Sequence, residues 1–163
     1  MSFNHFDDRG QAIMVDVSAK QKTMRTAIAS ARVVMKQETL KSILDGDTRK
    51  GDVLGVARLA GIAASKKTPD LIPLSHPLAI HHAAIDFDCN QESGTIKVCA
   101  TVRAYERTGV EMEAMVSASL AALTIYDMCK GVDKGIKIEN VFLEFKEGGK
   151  SGTYGKKPPS GGK

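Results

Sequence analysis

Moving protons near neutral pH calls for a carboxylate and an amine held side by side, and Asp127 with Lys130 is the clearest such pair in the chain. Three residues apart within a helically patterned segment, they share one helix face, and Lys134 follows after Gly131. Lysines nearby keep Asp127 ionised, and a desolvated site would bring a lysine pKa down toward neutrality, as proton shuttling requires. A surface ion pair at a helix C-terminus accounts for the same residues equally well. A second cation stands in Lys50-Gly51-Asp52-Val53. Gly51 lets the backbone bend, and Lys50 projects near a helix start, where free backbone N–H groups favour an anion such as phosphate. An ordinary loop lysine beside an Asp cap is the plainer account of that tetrapeptide.

Prolines bracket a histidine in Pro69-Asp70-Leu71-Ile72-Pro73-Leu74-Ser75-His76-Pro77-Leu78, fixing the backbone on both sides of a prospective acid, base or phosphate donor. His81 and His82 follow, but no acidic or thiol ligand completes a metal-binding spacing, so no metal site is expected. Thr108-Gly109-Val110-Glu111-Met112-Glu113 opens the main helix, with Thr108 as cap and Glu111 completing a capping box. Glu113, two residues on, points elsewhere and is a candidate for binding a guanidinium or a purine-like edge.

The elements that must position these groups are patterned clearly in places. Residues 83–89 and 95–105 alternate apolar and polar side chains around an Asn90-Gln91-Glu92-Ser93-Gly94 turn, which predicts an antiparallel hairpin with one face on the core. A further strand is expected over 136–146, with Val141, Leu143 and Phe145 on one face. Helical spacing of Met112, Met115, Val116, Ser119, Leu120, Leu123 and Tyr126 predicts the main packing helix over 112–129. Shorter helices are expected at 37–45 and at 52–65, the latter capped by Asp52 and striped by Val53, Val56, Leu59 and Ala60. Within 12–35, alanines mix with β-branched residues, and a strand is the preferred reading. The order β, α, α, β, β, α, β suggests an α+β sandwich, ferredoxin-like, with an antiparallel sheet and helices on one face.

A chain of 163 residues is the size of one domain and can bury a core without staples. The organisation expected is a mobile N-terminal segment 1–11, a single catalytic domain 12–147 and a flexible, glycine- and lysine-rich tail 148–163. The net charge of +4 comes from the tail starting at Lys146, whose five lysines oppose Glu147 alone. A neutral body without tryptophan is not that of a nucleic-acid binder, although clustered lysines suit a polyphosphate. Cys89, Cys99 and Cys129 lack disulfide or zinc spacing and fit reduced thiols in the cytoplasm. No signal peptide or membrane span is expected.

Five segments taken in order resemble the cyclic pyranopterin monophosphate synthase family, molybdenum cofactor biosynthesis protein C, over about residues 4–155. They are Met14-Val15-Asp16-Val17-Ser18, Lys50-Gly51-Asp52-Val53, Leu71-Ile72-Pro73-Leu74-Ser75-His76-Pro77-Leu78, Thr108-Gly109-Val110-Glu111-Met112-Glu113-Ala114, and Thr124-Ile125-Tyr126-Asp127-Met128-Cys129-Lys130 with Asp133-Lys134. The resemblance implies a ferredoxin-like fold that dimerises and assembles as a homohexamer, a trimer of dimers, with each active site built across a subunit interface. It implies a lyase that turns 3′,8-cyclo-7,8-dihydroguanosine 5′-triphosphate into cyclic pyranopterin monophosphate with release of pyrophosphate. No cofactor is required on this reading, and Mg²⁺ accompanying the triphosphate stays open.

Carried over by motif, Lys50 and Lys130 would be the catalytic lysines and Asp127 the acid or base beside them. Leu74, Ser75 and His76 would hold the substrate together with Glu111, Met112 and Glu113, and Arg25 would contact phosphate. Ser75 stands where the family usually has cysteine, so a nucleophilic thiol is excluded there. The tail with Lys146, Lys150 and Ser151 fits a segment closing over the triphosphate, and a solvated tail fits it as well. Two other classes compete with the enzyme. A nucleotide-binding module would use the same lysines without turnover but has little use for Asp127, and a purely structural oligomer leaves the polar residues at turns and helix ends unexplained.

Overall fold

A computed structural model describes residues 5–48 and 51–157. In chain order the elements are β1 (Thr23–Val34), α1 (Gln37–Leu44), α2 (Val53–Ser65), the one-turn α3 (Thr68–Leu71), β2 (His82–Asn90), β3 (Thr95–Glu106), α4 (Glu111–Cys129), β4 (Lys137–Glu147) and the two-residue β5 (Tyr154–Gly155). The strands form one antiparallel sheet in the order β2-β3-β1-β4-β5. With the helices packed on it, this is the ferredoxin-like α+β sandwich. Among the described residues no helix is long and apolar enough to cross a membrane.

The strand reading of 12–35 holds for Thr23–Val34, while 12–22 runs as irregular chain apart from a bridge between Phe6 and Ala12. β1 lies at the centre of the sheet and is buried on both faces. Ala27, Ala29, Ala31 and Val33 belong to the core, and Ile28 and Ser30 are buried on the opposite side. On that side Ser30 Oγ donates to Glu144 at 2.8 Å, and Lys97 pairs with the same carboxylate at 2.6 Å. The hairpin of β2 and β3 closes at Gly94, whose φ of 63° suits glycine. Asp52 caps α2, accepting from the Gly55 N–H at 2.8 Å.

Three expectations are corrected. The packing face of α4 follows the expected stripe only in part. Val116 of that stripe is buried and Met115 and Tyr126 pack against the core, but Met112 and Leu123 are exposed, and Ala114, Ser117, Ala118, Ala121, Ala122 and Ile125 fill the buried face. The alanines of α4 meet the alanines of β1, so helix and sheet approach closely with small side chains between them. In α2 likewise, Ala57, Gly61 and Ala64 face inward with Val53, and Val56 and Leu59 face out. Gly61 is where the two helices touch: Ser117 Oγ donates to its carbonyl at 2.8 Å, and a Cβ there would lie 2.9 Å from Ile85. In β4 the single apolar face fails because the strand bulges against β1 between Ile28 and Ala29 and again between Ser30 and Arg32. Leu143 therefore packs on the helix-side core while Phe145 pairs with Ile28 on the other face.

Candidate active site

The side chains singled out above fall into separate places on the chain. One group surrounds the N-terminal end of α4. A cleft of about 850 Å³ opens there, bounded by Arg25 from β1, Arg107 and Glu111 around the start of α4, Lys146 from β4, and Lys20 and Lys150 from flanking loops. Arg25 is only 8% exposed. Its Nε donates to the Glu106 carbonyl and its NH2 to the Arg107 carbonyl, both at 3.2 Å. Two of its five N–H donors are thus spent on fixing the guanidinium, and the rest remain for an anion.

Glu111 does not close a capping box. The cap residue of α4 is Val110, which makes no side-chain capping bond, and Thr108 sits in the loop before it. Instead Glu111 accepts from Lys146 Nζ at 2.8 Å, joining α4 to β4 across the cleft. Glu113 turns into the protein and is 2% exposed, with Oε1 lacking any hydrogen-bond partner among the described residues. Burial pushes its carboxyl up to about 7 from an ordinary 4.5, opposed by its own backbone N–H and assisted by the Glu111 charge. Near neutrality it can therefore donate or accept a hydrogen bond. Met112, between them, is exposed in the same first turn.

The second group lies at the other end of α4. Lys130 Nζ is 2.5 Å from Asp127 Oδ1, an ion pair with both partners more than half exposed. The hydrogen bond to Asp127 raises the Lys130 pKa above its ordinary value. The lowering toward neutrality that proton shuttling would need is thus absent here, because the hydrogen bond and charge of Asp127 outweigh the desolvation of the ammonium. Lys134 is exposed nearby. Asp133 from the same motif is structural. It is buried, and its carboxylate accepts from the Lys36 and Gly135 N–H groups, each at 2.9 Å, and from Thr39 Oγ1 at 3.2 Å. It ties the turn after α4 to the start of α1.

The proline-bracketed loop is a third location. His76 Nε2 lies 2.7 Å from the Val15 carbonyl oxygen, so Nε2 carries a proton and donates it to that carbonyl. The Ser75 N–H donates to the Ile72 carbonyl at 3.0 Å, a turn contact, and Leu74 and Ser75 are half-buried. Asp16, next to Val15, is held below the usual carboxylate range by the Ser18 N–H, with a smaller effect of His76. Lys50 lies outside the described residues. No group of three or more His, Cys, Asp or Glu among the described residues is arranged to hold a metal ion.

Arg107 and Lys20 were not anticipated as part of the cleft. Arg107 NH1 donates to the Ser18 carbonyl at 2.8 Å, and its Nε is buried with no partner among the described residues. Continuing the alternation of Arg103 and Tyr105 one step past β3 was the only signal for it, and that signal stops where the strand does. Lys20 sits in irregular chain, where no periodicity exists to read.

Residues 14–149 match the model of the MoaC family. The chain is 73% identical over 160 residues to the cyclic pyranopterin monophosphate synthase of Geobacter metallireducens, covering 98% of this chain and 100% of that one. It is 74% identical over 154 residues to the protein of the same name from Geobacter sulfurreducens, with 94% and 96% covered. The Clostridium botulinum protein of that name is 51% identical over 152 residues, with 93% and 96% covered.

Proposed function

The chain belongs to the MoaC family, and on that premise we propose how this fold carries out the reaction. The protein is a cyclic pyranopterin monophosphate synthase, a lyase of molybdenum cofactor biosynthesis that converts 3′,8-cyclo-7,8-dihydroguanosine 5′-triphosphate to cyclic pyranopterin monophosphate and pyrophosphate. In our reading the cleft at the start of α4 receives the triphosphate. Arg25, with Arg107, Lys20, Lys146 and Lys150 around it, neutralises the charge that develops as pyrophosphate leaves. Met112 and Glu111 meet the purine-derived end, and Glu113 lies buried behind them in the same turn, its carboxyl poised near neutrality. Leu74, Ser75 and His76 complete the substrate contacts.

The proton transfers are assigned to Lys130, Asp127 and Lys50. At neutral pH Lys130 enters as an acid, because its partner Asp127 favours the charged ammonium. The observation that carries this reading is the separation of the two groups along one helix. Glu111 and Asp127 are 16 residues apart on α4, about 24 Å at 1.5 Å per residue. A single copy cannot present both ends of that helix to one substrate. A second copy bringing its Asp127 and Lys130 to the first copy's cleft would make the site whole, in keeping with a homohexamer built as a trimer of dimers. The outward face of α4 supports the arrangement. Leu123, Asp127 and Lys130 follow one another at four and three residues, so the reactive pair shares a helix face with an exposed leucine, and Leu59 on the adjacent helix α2 is 69% exposed. Covering that face would also desolvate Lys130 and bring its pKa down.

No cofactor is part of the proposal, and any Mg²⁺ would arrive on the triphosphate. A cytoplasmic location belongs to the same reading, in keeping with Cys89, Cys99 and Cys129 forming no disulfide among the described residues. The test is an assay with the cyclised dihydroguanosine triphosphate, following pyrophosphate and pterin phosphate by mass. Asp127→Asn and Lys50→Ala are expected to bind substrate while turnover falls roughly 10²-fold or more. Unchanged kcat in Asp127→Asn and Lys130→Ala would remove the acid–base assignment. Substrate binding without pyrophosphate release by the unmodified protein would favour the binding module.

A further inference from the structure

We infer that the Gly148–Gly149 turn after β4 is a positioning device for Arg25, and through it for the anionic end of the substrate. The inference rests on the assignment of Arg25 to phosphate made above. Arg25 reaches the cleft from β1, and its guanidinium is held from behind by the Glu106 and Arg107 carbonyls. Gly148 and Gly149 close over it from β4 with φ of 102° and 75°, left-handed conformations that side chains resist. Space is the second restriction. A Cβ on Gly148 would lie 2.2 Å from the Met24 carbonyl oxygen, and backbone there cannot give way. A Cβ on Gly149 would lie 1.6 Å from Arg25 NH1 and 2.4 Å from Cζ, inside the volume of the guanidinium itself. Gly148 therefore lets the turn seat against β1, and Gly149 leaves room for the guanidinium, packing against its NH1 edge.

The chain supplies its own control. Gly152 has a φ of 66°, close to that of Gly149, yet a Cβ there meets nothing within 4 Å. Alanine at either position carries a similar backbone strain, and only Gly149→Ala also evicts the guanidinium. Two readouts separate position from function. Modification of Arg25 by phenylglyoxal, mapped by peptide mass, reports where the side chain lies. It is expected to be slow in the unmodified enzyme and in Gly152→Ala, and roughly tenfold faster in Gly149→Ala, where a largely buried arginine is released. KM for the triphosphate substrate is expected to rise roughly 10- to 100-fold in Gly149→Ala, the scale of a charge-assisted contact, and about twofold or less in Gly152→Ala.

In the double variant Arg25→Ala/Gly149→Ala, KM should be no worse than in Arg25→Ala alone. If Gly149→Ala does not fold, adding Arg25→Ala should restore folding, since the colliding group is gone. Failure to restore it overturns the inference, as do unmodified KM and reactivity in a folded Gly149→Ala. Faster Arg25 modification with unchanged KM would leave the positioning in place and remove the phosphate assignment instead.

Discussion

Replacing Glu113 by glutamine tests the most unusual charge state in the chain. The carboxyl is buried at the start of α4, and burial raises its pKa from an ordinary 4.5 to about 7. The sign follows from proton counting. Between those two values the folded protein holds a proton that the unfolded chain has released, so stability is greatest below 4.5 and is lost as pH rises through about 7. At about 1.4 kcal/mol per pH unit the full loss is ~3 kcal/mol. Glu113→Gln keeps the shape and a neutral head group but cannot ionise. Urea unfolding of both proteins at a fixed concentration, from about pH 5 to about pH 8, should show the unmodified protein losing roughly 2 kcal/mol or more relative to the variant. The slope m should be the same in both. Parallel stability profiles would refute the reasoning, for then Glu113 is ionised throughout and its Oε1 has a partner in solution.

Mixing Arg25→Ala with Lys130→Ala, each strongly impaired alone at a substrate concentration near the unmodified KM, should recover roughly a quarter of the unmodified activity after subunit exchange, because one site of each mixed pair is intact. Recovery of none would remove the shared site. Asp133→Ala, which strips hydrogen bonds from the Lys36 and Gly135 N–H groups, should cost ~2–4 kcal/mol in urea unfolding with no change in kcat for the folded fraction. In the unmodified protein the Lys36 N–H holds the Asp133 carboxyl below its ordinary 3.8. Its contribution is therefore present above that value and lost as acid takes the pH down through the depressed one, so acid unfolding should be steeper than in Asp133→Asn. Gly61→Ala should destabilise by about 1–3 kcal/mol, because its Cβ would meet Ile85 and the Ser117 carbonyl where α2 crosses α4.

What was legible in the sequence was carried by local signals. Asp127 and Lys130 sit at a helical spacing that makes an ion pair whatever surrounds them, and the pair forms at 2.5 Å. The alternation of 83–89 and 95–105 around Gly94 led directly to the β2–β3 hairpin. Arg107 was not legible, since its role depends on the irregular segment at Ser18, far away in the chain. Thr108 and Glu111 had the letters of a capping box, but Lys146, arriving from β4, offered Glu111 a charged partner instead of a backbone N–H.

By itself, then, the sequence determined the order of the main strands and helices, the hairpin, the Asp52 cap and the Asp127–Lys130 ion pair. Those depend on contacts only a few residues long. Tertiary structure alone decided which face of each helix is inside. Hydrophobic spacing favoured Met112, Leu123, Val56 and Leu59, yet the alanines of β1 admit only a close-fitting helix, the small residues of α4 fill that space, and those of α2 pack in turn against α4 and β2. It also decided that Leu143 and Phe145 point apart, through bulges whose register belongs to β1 as much as to β4. Finally it decided that Arg25 and Asp127 stand at opposite ends of one helix, because the length of α4 separates what the motifs had placed together.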